Sequence, residues 1–533
     1  MIAFLVLAPV LSLILSAFQG GEGLWPHMLA YVLPMALRDT LLLVAGVGIL
    51  VSVIGAGAAW LVTAYDFPGR SWMEWALLLP LAVPTYIVAY AYLDILHPVG
   101  AVQDAIRAVL GYDGPRAFRL PDVRSMGGAI LVMGFVLYPY VYLTVRAMFL
   151  TQAATLVEAA RTLGTPGSAI FRRVALPLAR PAIAVGVSLA VMETLNDIGA
   201  SEFLGVRTLT VSIYTSWVSR SDLAGAAQIA LAMLALVVGL LLFERWARRH
   251  RRYAAGAQRA SIMRPERLRG ARAGLALAAC LLPILIGFIV PASYLVIEAV
   301  RRYRFAGLSD TLMAEAVNTL TLSAAATMVI LACGILLAYT VRIGGHPGDR
   351  AAARIAALGY AIPGTVLAIG LLGPLGLVDH ILDEGAGRLF GISTGLVLMG
   401  SSAALIYAYA VRFLAIAVGG VEAGFSRVPL SIDYAARSLG ESAGGALRRV
   451  HLPLLRSALV AAGLLTFVDC AKELPATLLL RPLNVETLAT HLYGEAARGT
   501  YEEASLAALL IVAIGIFPVC LLARTGRPKR ERS

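Results

Sequence analysis

The chain has 533 residues, 59% hydrophobic and 14% charged, with a mean hydropathy of +0.80. Those proportions exclude a soluble globular protein, and the net charge of +12 lies mainly in loops between apolar runs, where it reads as topology signal rather than as a nucleic-acid surface. The four cysteines form no CxxC or Cys/His grouping, so neither a disulfide framework nor a zinc site is indicated.

In chain order, apolar runs long enough to cross a bilayer are expected near 2–18, 40–64, 74–96, 127–149, 178–198 and 226–243. Six more are expected near 273–298, 318–341, 355–376, 391–418, 455–471 and 503–523. The fold expected is an all-α polytopic membrane protein with about 12 transmembrane helices. The opening MIAFLVLAPVLSLILSAF lacks the basic n-region and cleavage site of a signal peptide and reads as an uncleaved first span. A basic run from Arg245 to Arg272 separates a first half, 1–243, from a second, 273–523; 244–272 is a linker and 524–533 a basic tail. An even number of spans puts both termini on one side. Most of the 44 Lys and Arg fall on that side, which makes it the cytoplasm, with the basic segments facing anionic lipid headgroups and not nucleic acid. Arg301, Arg302 and Arg304 fall on the other side.

One polar stretch occurs twice. Glu158 to Pro177, EAARTLGTPGSAIFRRVALP, returns 276 residues later as Tyr434 to Pro453, YAARSLGESAGGALRRVHLP. Ala159, Ala160 and Arg161 match Ala435, Ala436 and Arg437; Gly164 matches Gly440; Pro177 matches Pro453. Each copy lies between the fourth and fifth span of its half (loops 155–177 and 431–453), so the halves form a parallel repeat related by an axis along the membrane normal. Thr155 and Glu158 fit a capping box, with Ser431 as the second cap and Asp433 the carboxylate near that helix start. Leu156, Ala159, Ala160 and Leu163 share a face, as do Ile432, Ala435, Ala436 and Leu439. Gly164 and Gly440 are suited to the left-handed conformation that ends a helix.

This pattern, EAA followed by three residues and Gly, then nine residues before a hydrophobic-x-Leu-Pro, resembles the cytoplasmic loop of permease subunits in binding-protein-dependent ABC importers. The resemblance covers essentially the whole chain as two fused permease domains and implies the type I importer permease fold. It implies that Glu158, Ala159, Ala160, Arg161, Gly164 and Pro177, with Tyr434, Ala435, Ala436, Arg437, Gly440 and Pro453, couple to two copies of an ABC ATPase. Tyr434 stands where the pattern has Glu, so the two contacts are expected to differ. No GxxxxGK[ST] motif occurs, so this chain is expected to be a transport subunit and not an enzyme, binding no cofactor; ATP and Mg belong to the partner ATPase. A periplasmic or lipid-anchored substrate-binding protein and a location in the bacterial inner membrane are implied likewise.

The fifth span of each half ends in carboxylates, Glu193 and Asp197 in the first and Asp469 and Glu473 in the second, four residues apart each time and expected on one helical face. Two readings stand. The carboxylates pair with nearby cations such as Lys472, Arg207 or Arg481, or they form an oxygen-rich path giving a cation transient contact. The segments ETLNDIGASEFLGVRTLTVSIYTSW and KELPATLLLRPLNVETLAT resemble ferric-iron permeases within the family, which implies ferric iron as substrate. Permeases for thiamine and, less closely, for polyamine or sulfate share the pattern, and a secondary transporter is the remaining alternative.

Overall fold

A computed structural model describes residues 2–18, 25–150, 154–249, 265–344 and 346–525. The core of the basic linker and the tail beyond 525 lie outside the described residues. Nine described helices are long and apolar enough to cross a membrane, and the apolar helices Arg70–Ala82 and Thr85–Ile95 pass the same test as a pair bent by 89°, as a broken span or a re-entrant loop would be. Ile2–Phe18 is a shorter apolar helix and Tyr501–Thr525 a further long one. Every expected span therefore has a helix at its place. Among the described residues the only strands are a parallel pair of two residues each, Tyr65–Asp66 beside Glu266–Arg267.

Two edges differ from expectation, each for a backbone reason. The run 355–376 is not one span: Pro347–Ala357 is a separate amphipathic helix, a tight turn follows at Leu358–Ala361, and the long helix is Gly364–Phe390. Pro363 forces Ile362 into an extended conformation (φ −81°, ψ 121°), which breaks the helix there. The next span starts at Ser402 rather than 391, because Gly391 closes the preceding helix at φ 67° and Ser401 caps the new one by accepting from the Ala404 N–H. The first half breaks the same way: a tight turn at Leu79–Ala82, an extended Val83, then Pro84 opening Thr85–Ile95.

The packing units are interleaved in sequence and do not follow the two sequence halves. One comprises Met1–Met28, Ile213–Leu234 and Leu308–His491; the other comprises Leu29–Ser212, Ala235–Gly307 and Leu492–Ser533. In the first, helix Ile2–Phe18 packs on Gly364–Phe390, so the opening helix belongs with the second half of the chain, and the Tyr407 hydroxyl donates to the Leu5 carbonyl at 2.6 Å. In the other, Leu33–Ala64 packs along Met126–Met148, where Gly55 lets the helix backbones meet against Val141 and Tyr138. Helices Ala271–Ile284 and Val290–Ala306, from the second half, pack into this unit; there the Tyr92 hydroxyl donates to the Ile286 carbonyl at 2.7 Å.

Candidate functional site

The repeated loop folds alike in both copies. A short helix, Ala154–Thr162 or Leu430–Ser438, stops at Gly164 (φ 75°) or Gly440 (φ 81°). The Thr165 N–H returns to the Ala160 carbonyl at 3.1 Å and the Glu441 N–H to Ala436 at 3.0 Å, the bond that closes a left-handed glycine stop. A second short helix follows (Gly167–Ile170; Ala443–Ala446), then a widened turn carrying the arginine pairs (Phe171–Ala175; Leu447–His451). Pro177 and Pro453 follow directly on that widened turn, at the starts of Leu176–Asn196 and Leu452–Ala471. The Thr155 side chain lies outside the described residues. Ser431 is not the cap expected of it: Pro429, in an extended conformation, precedes the helix, and Ser431 falls inside its first turn.

Apolar side chains are among those that these segments turn outward. Val157 and Ala436 are buried, while Leu163 is 83% exposed, its counterpart Leu439 84%, and Leu156 and Tyr434 are also exposed. Isolated apolar side chains on a surface are ordinary, but Leu163 and Leu439 match in the repeat and are exposed alike just before the two glycine stops. The helices that carry them are anchored. The Arg161 guanidinium donates to the Ala64 carbonyl at 2.9 Å. Below the second copy, Arg342 donates to Asp433 at 2.5 Å and to the Phe425 and Val428 carbonyls at 2.9 Å each, and its guanidinium lies over the Phe425 ring. His451 Nε2 lies 3.0 Å from Asp433 Oδ1, and the Tyr339 hydroxyl donates to the Ala443 carbonyl at 2.6 Å. Burial pushes the Asp433 carboxyl up, but the Arg342 guanidinium outweighs it and holds the group below the usual carboxylate range. Neither Arg342 nor His451 was singled out from the sequence; a lone Arg closing an apolar span was the available signal.

The second carboxylate of each pair lies just past the end of its fifth-span helix: Leu176–Asn196 ends one residue before Asp197, and Leu452–Ala471 ends two before Glu473. Asp197 instead caps the short helix Ile198–Phe203, accepting from the Ala200 N–H at 2.8 Å. Glu473 does the same for Pro475–Leu480, accepting from the Ala476 and Thr477 N–H groups at 2.9 and 3.0 Å. Asp469 pairs with Lys472 at 2.8 Å, and Arg481 pairs with Glu486 at 3.0 Å. Glu193 is half-buried on its helix.

Two residues that the sequence reading passed over complete this corner. Arg412, buried within the apolar helix Ser402–Phe425, donates to Glu473 at 2.7 Å. Gly364 makes room for it: a Cβ there would sit 2.3 Å from Arg412 Nη1 and 2.8 Å from Glu473 Oε1. In the first half Thr85 stands at the corresponding helix start and hydrogen-bonds Asp197, while the position matching Arg412 is the buried Val136. An arginine inside an apolar span is the signal that would have found the pair. A narrow cleft lined by Thr319, Ser323, Tyr409, Cys470 and Thr487 reaches Glu473.

The sequence of residues 1–253 matches the family of binding-protein-dependent transport system inner membrane components. The chain is 24% identical over 499 residues, 92% of its own length and 89% of the relative's, to the Fe(3+)-transport system permease protein FbpB 2 of Haemophilus influenzae. It is 30% identical over 204 residues to the molybdenum transport system permease protein ModB of Escherichia coli, covering 37% of this chain and 86% of that one. Over 247 residues it is 27% identical to the sulfate transport system permease protein CysT of Salmonella typhimurium, covering 45% and 85%. With the helical architecture and the doubled loop, these matches establish that the chain belongs to the binding-protein-dependent transport inner membrane components, as an integral inner-membrane ABC importer permease with two permease repeats fused in one chain.

Proposed function

We propose that this permease imports ferric iron, delivered outside by a periplasmic or lipid-anchored binding protein and driven inside by two copies of an ABC ATPase. The similarity to the Fe(3+) permease, which runs through both halves and the linker region, carries the choice of substrate. The molybdenum and sulfate relatives favour a second reading, an oxyanion substrate, over about one half of the chain each. Uptake of radiolabelled ferric iron by cells that express the permease with its neighbouring binding protein and ATPase separates the two. Iron accumulation that molybdate and sulfate do not inhibit supports the first reading; accumulation of labelled molybdate or sulfate in its place supports the second.

The coupling role belongs to the two short helices. Each presents exposed leucine beyond a capped turn and rests on a rigid base, so a push on the helix moves the span that follows Pro177 or Pro453. ATP and Mg are held by the partner, whose closure draws the two loops together and opens the path outward by alternating access. Both termini, the loops and the linker lie in the cytoplasm in this arrangement, as the arginine distribution favours. Glu193, Asp197, Asp469 and Glu473 then lie toward the outer side, near the end of the substrate route. Glu193 and Asp469, which do not cap a helix, are the better candidates for transient cation contact.

A further inference from the structure

We propose that Glu315, Glu486 and His491 form a site for one divalent transition-metal ion, which ties the head of the helix Asp310–Gly344 to the start of Leu488–Arg498. One donor atom from each residue lies within 4.8 Å of the other two. His491 Nδ1 is 3.0 Å from Glu315 Oε1. Glu315 is 93% buried, since only 7% of its surface is exposed, and its second oxygen, Oε2, is buried with no hydrogen-bond partner among the described residues. A carboxylate oxygen buried so inside a protein calls for a cation or a donor. One imidazole nitrogen with two carboxylates is the donor set of a borderline first-row ion such as zinc, manganese or ferrous iron, bound at about 2.0–2.2 Å.

The internal repeat supplies a control within the same molecule. In the second half the Thr319 hydroxyl donates to the Glu315 carbonyl and accepts from the Leu488 N–H at 2.9 Å. In the first half the Thr40 hydroxyl donates to the Ala36 carbonyl and accepts from the Leu209 N–H, also at 2.9 Å. The backbone corner is therefore the same, and Glu315, Glu486 and His491 correspond to Ala36, Arg207 and Ser212. The fold closes this corner without any of the three donors, so their convergence in the second half is not required by packing. Asn318 fixes the segment by donating to the Glu486 carbonyl at 3.1 Å, and Arg481 pairs with Glu486 Oε1 at 3.0 Å. The corner lies at the opposite end of Asp310–Gly344 from Arg342, roughly 40 Å away at 1.5 Å per residue, so the site is separate from the loop contacts.

The test uses the full-length permease in detergent, stripped with chelator and titrated with zinc, then manganese and ferrous iron, with bound metal counted by mass spectrometry. The variants Glu315→Ala, Glu486→Arg and His491→Ser install the residues that the first half tolerates at the same corner. The expected result is about one zinc per chain, weakened about 10-fold or more in Glu315→Ala and His491→Ser. A zinc-dependent rise in melting temperature is expected in the wild type and not in those variants, with unchanged size-exclusion profiles. Glu193→Gln should bind zinc like the wild type. Zinc binding that survives unchanged in Glu315→Ala and His491→Ser, or a wild type that retains no stoichiometric ion, overturns the proposal. Zinc lost in Glu193→Gln as well would place the ion on the substrate route and overturn a separate site.

Discussion

Replacing Gly364 by threonine, the residue at the corresponding helix start in the first half, tests how this corner is built. A Cβ at 364 would lie 2.3 Å from Arg412 Nη1, 2.8 Å from Glu473 Oε1 and 3.1 Å from Pro475 Cβ, so the guanidinium must shift off its place beside Glu473. Removing one partner of a buried ion pair costs about 3–5 kcal/mol. Glu473 keeps the Ala476 and Thr477 N–H groups and the Thr477 hydroxyl, which puts the expected loss near the lower bound, about 3 kcal/mol. The triple variant Gly364→Thr, Arg412→Val, Glu473→Asp transplants the first half's solution of Thr85, Val136 and Asp197 and should recover at least half of that loss. Unfolding of the purified permease in mixed micelles measures both. A Gly364→Thr protein as stable as the wild type, or a triple variant no better than the single one, would refute the reasoning.

Arg342→Met should loosen the base of the second loop by about 3 kcal/mol, seen as faster hydrogen exchange across 430–446 with the first loop unaffected. The lowered carboxyl of Asp433 gives this contact a pH window. Its stabilisation is full above the unfolded carboxylate value of about 3.9 and is lost as pH falls through the lower folded value, so the protection of the same segment, its exchange rate relative to the intrinsic rate at each pH, should stay constant from pH 7 to pH 5 and fall below pH 4. The double variant Glu193→Gln, Asp469→Asn should reduce iron uptake while leaving ATPase assembly intact; unchanged uptake would remove these carboxylates from the route.

What the sequence made legible is what repeats or persists over many residues. Long apolar runs announced the spans, because only a self-satisfied helix carries its backbone through lipid. The doubled loop announced its glycine stops and proline re-entries, because those positions depend on local backbone geometry. The interleaving of Ile2–Phe18 and Tyr501–Thr525 with the opposite halves was not legible, since apolar helices carry no mark of which neighbour they pack on. Arg412 and Glu473 were invisible as a pair because 61 residues separate them and only the folded chain joins them. The capping roles of Asp197 and Glu473 were not legible for a simpler reason: each helix ends just where the four-residue count was applied.

The central claim, that the two loops are docking sites for an ATPase, meets its most direct test in the exposed leucines. Leu163→Asp and Leu439→Asp place a charge on each docking face without touching the glycine stops or the buried base. Co-purification of the tagged permease with its ATPase should fall in each variant and be nearly abolished in the double variant, while membrane insertion and the melting temperature of the permease stay at wild-type values. Undiminished recovery of the ATPase with the double variant would contradict the account.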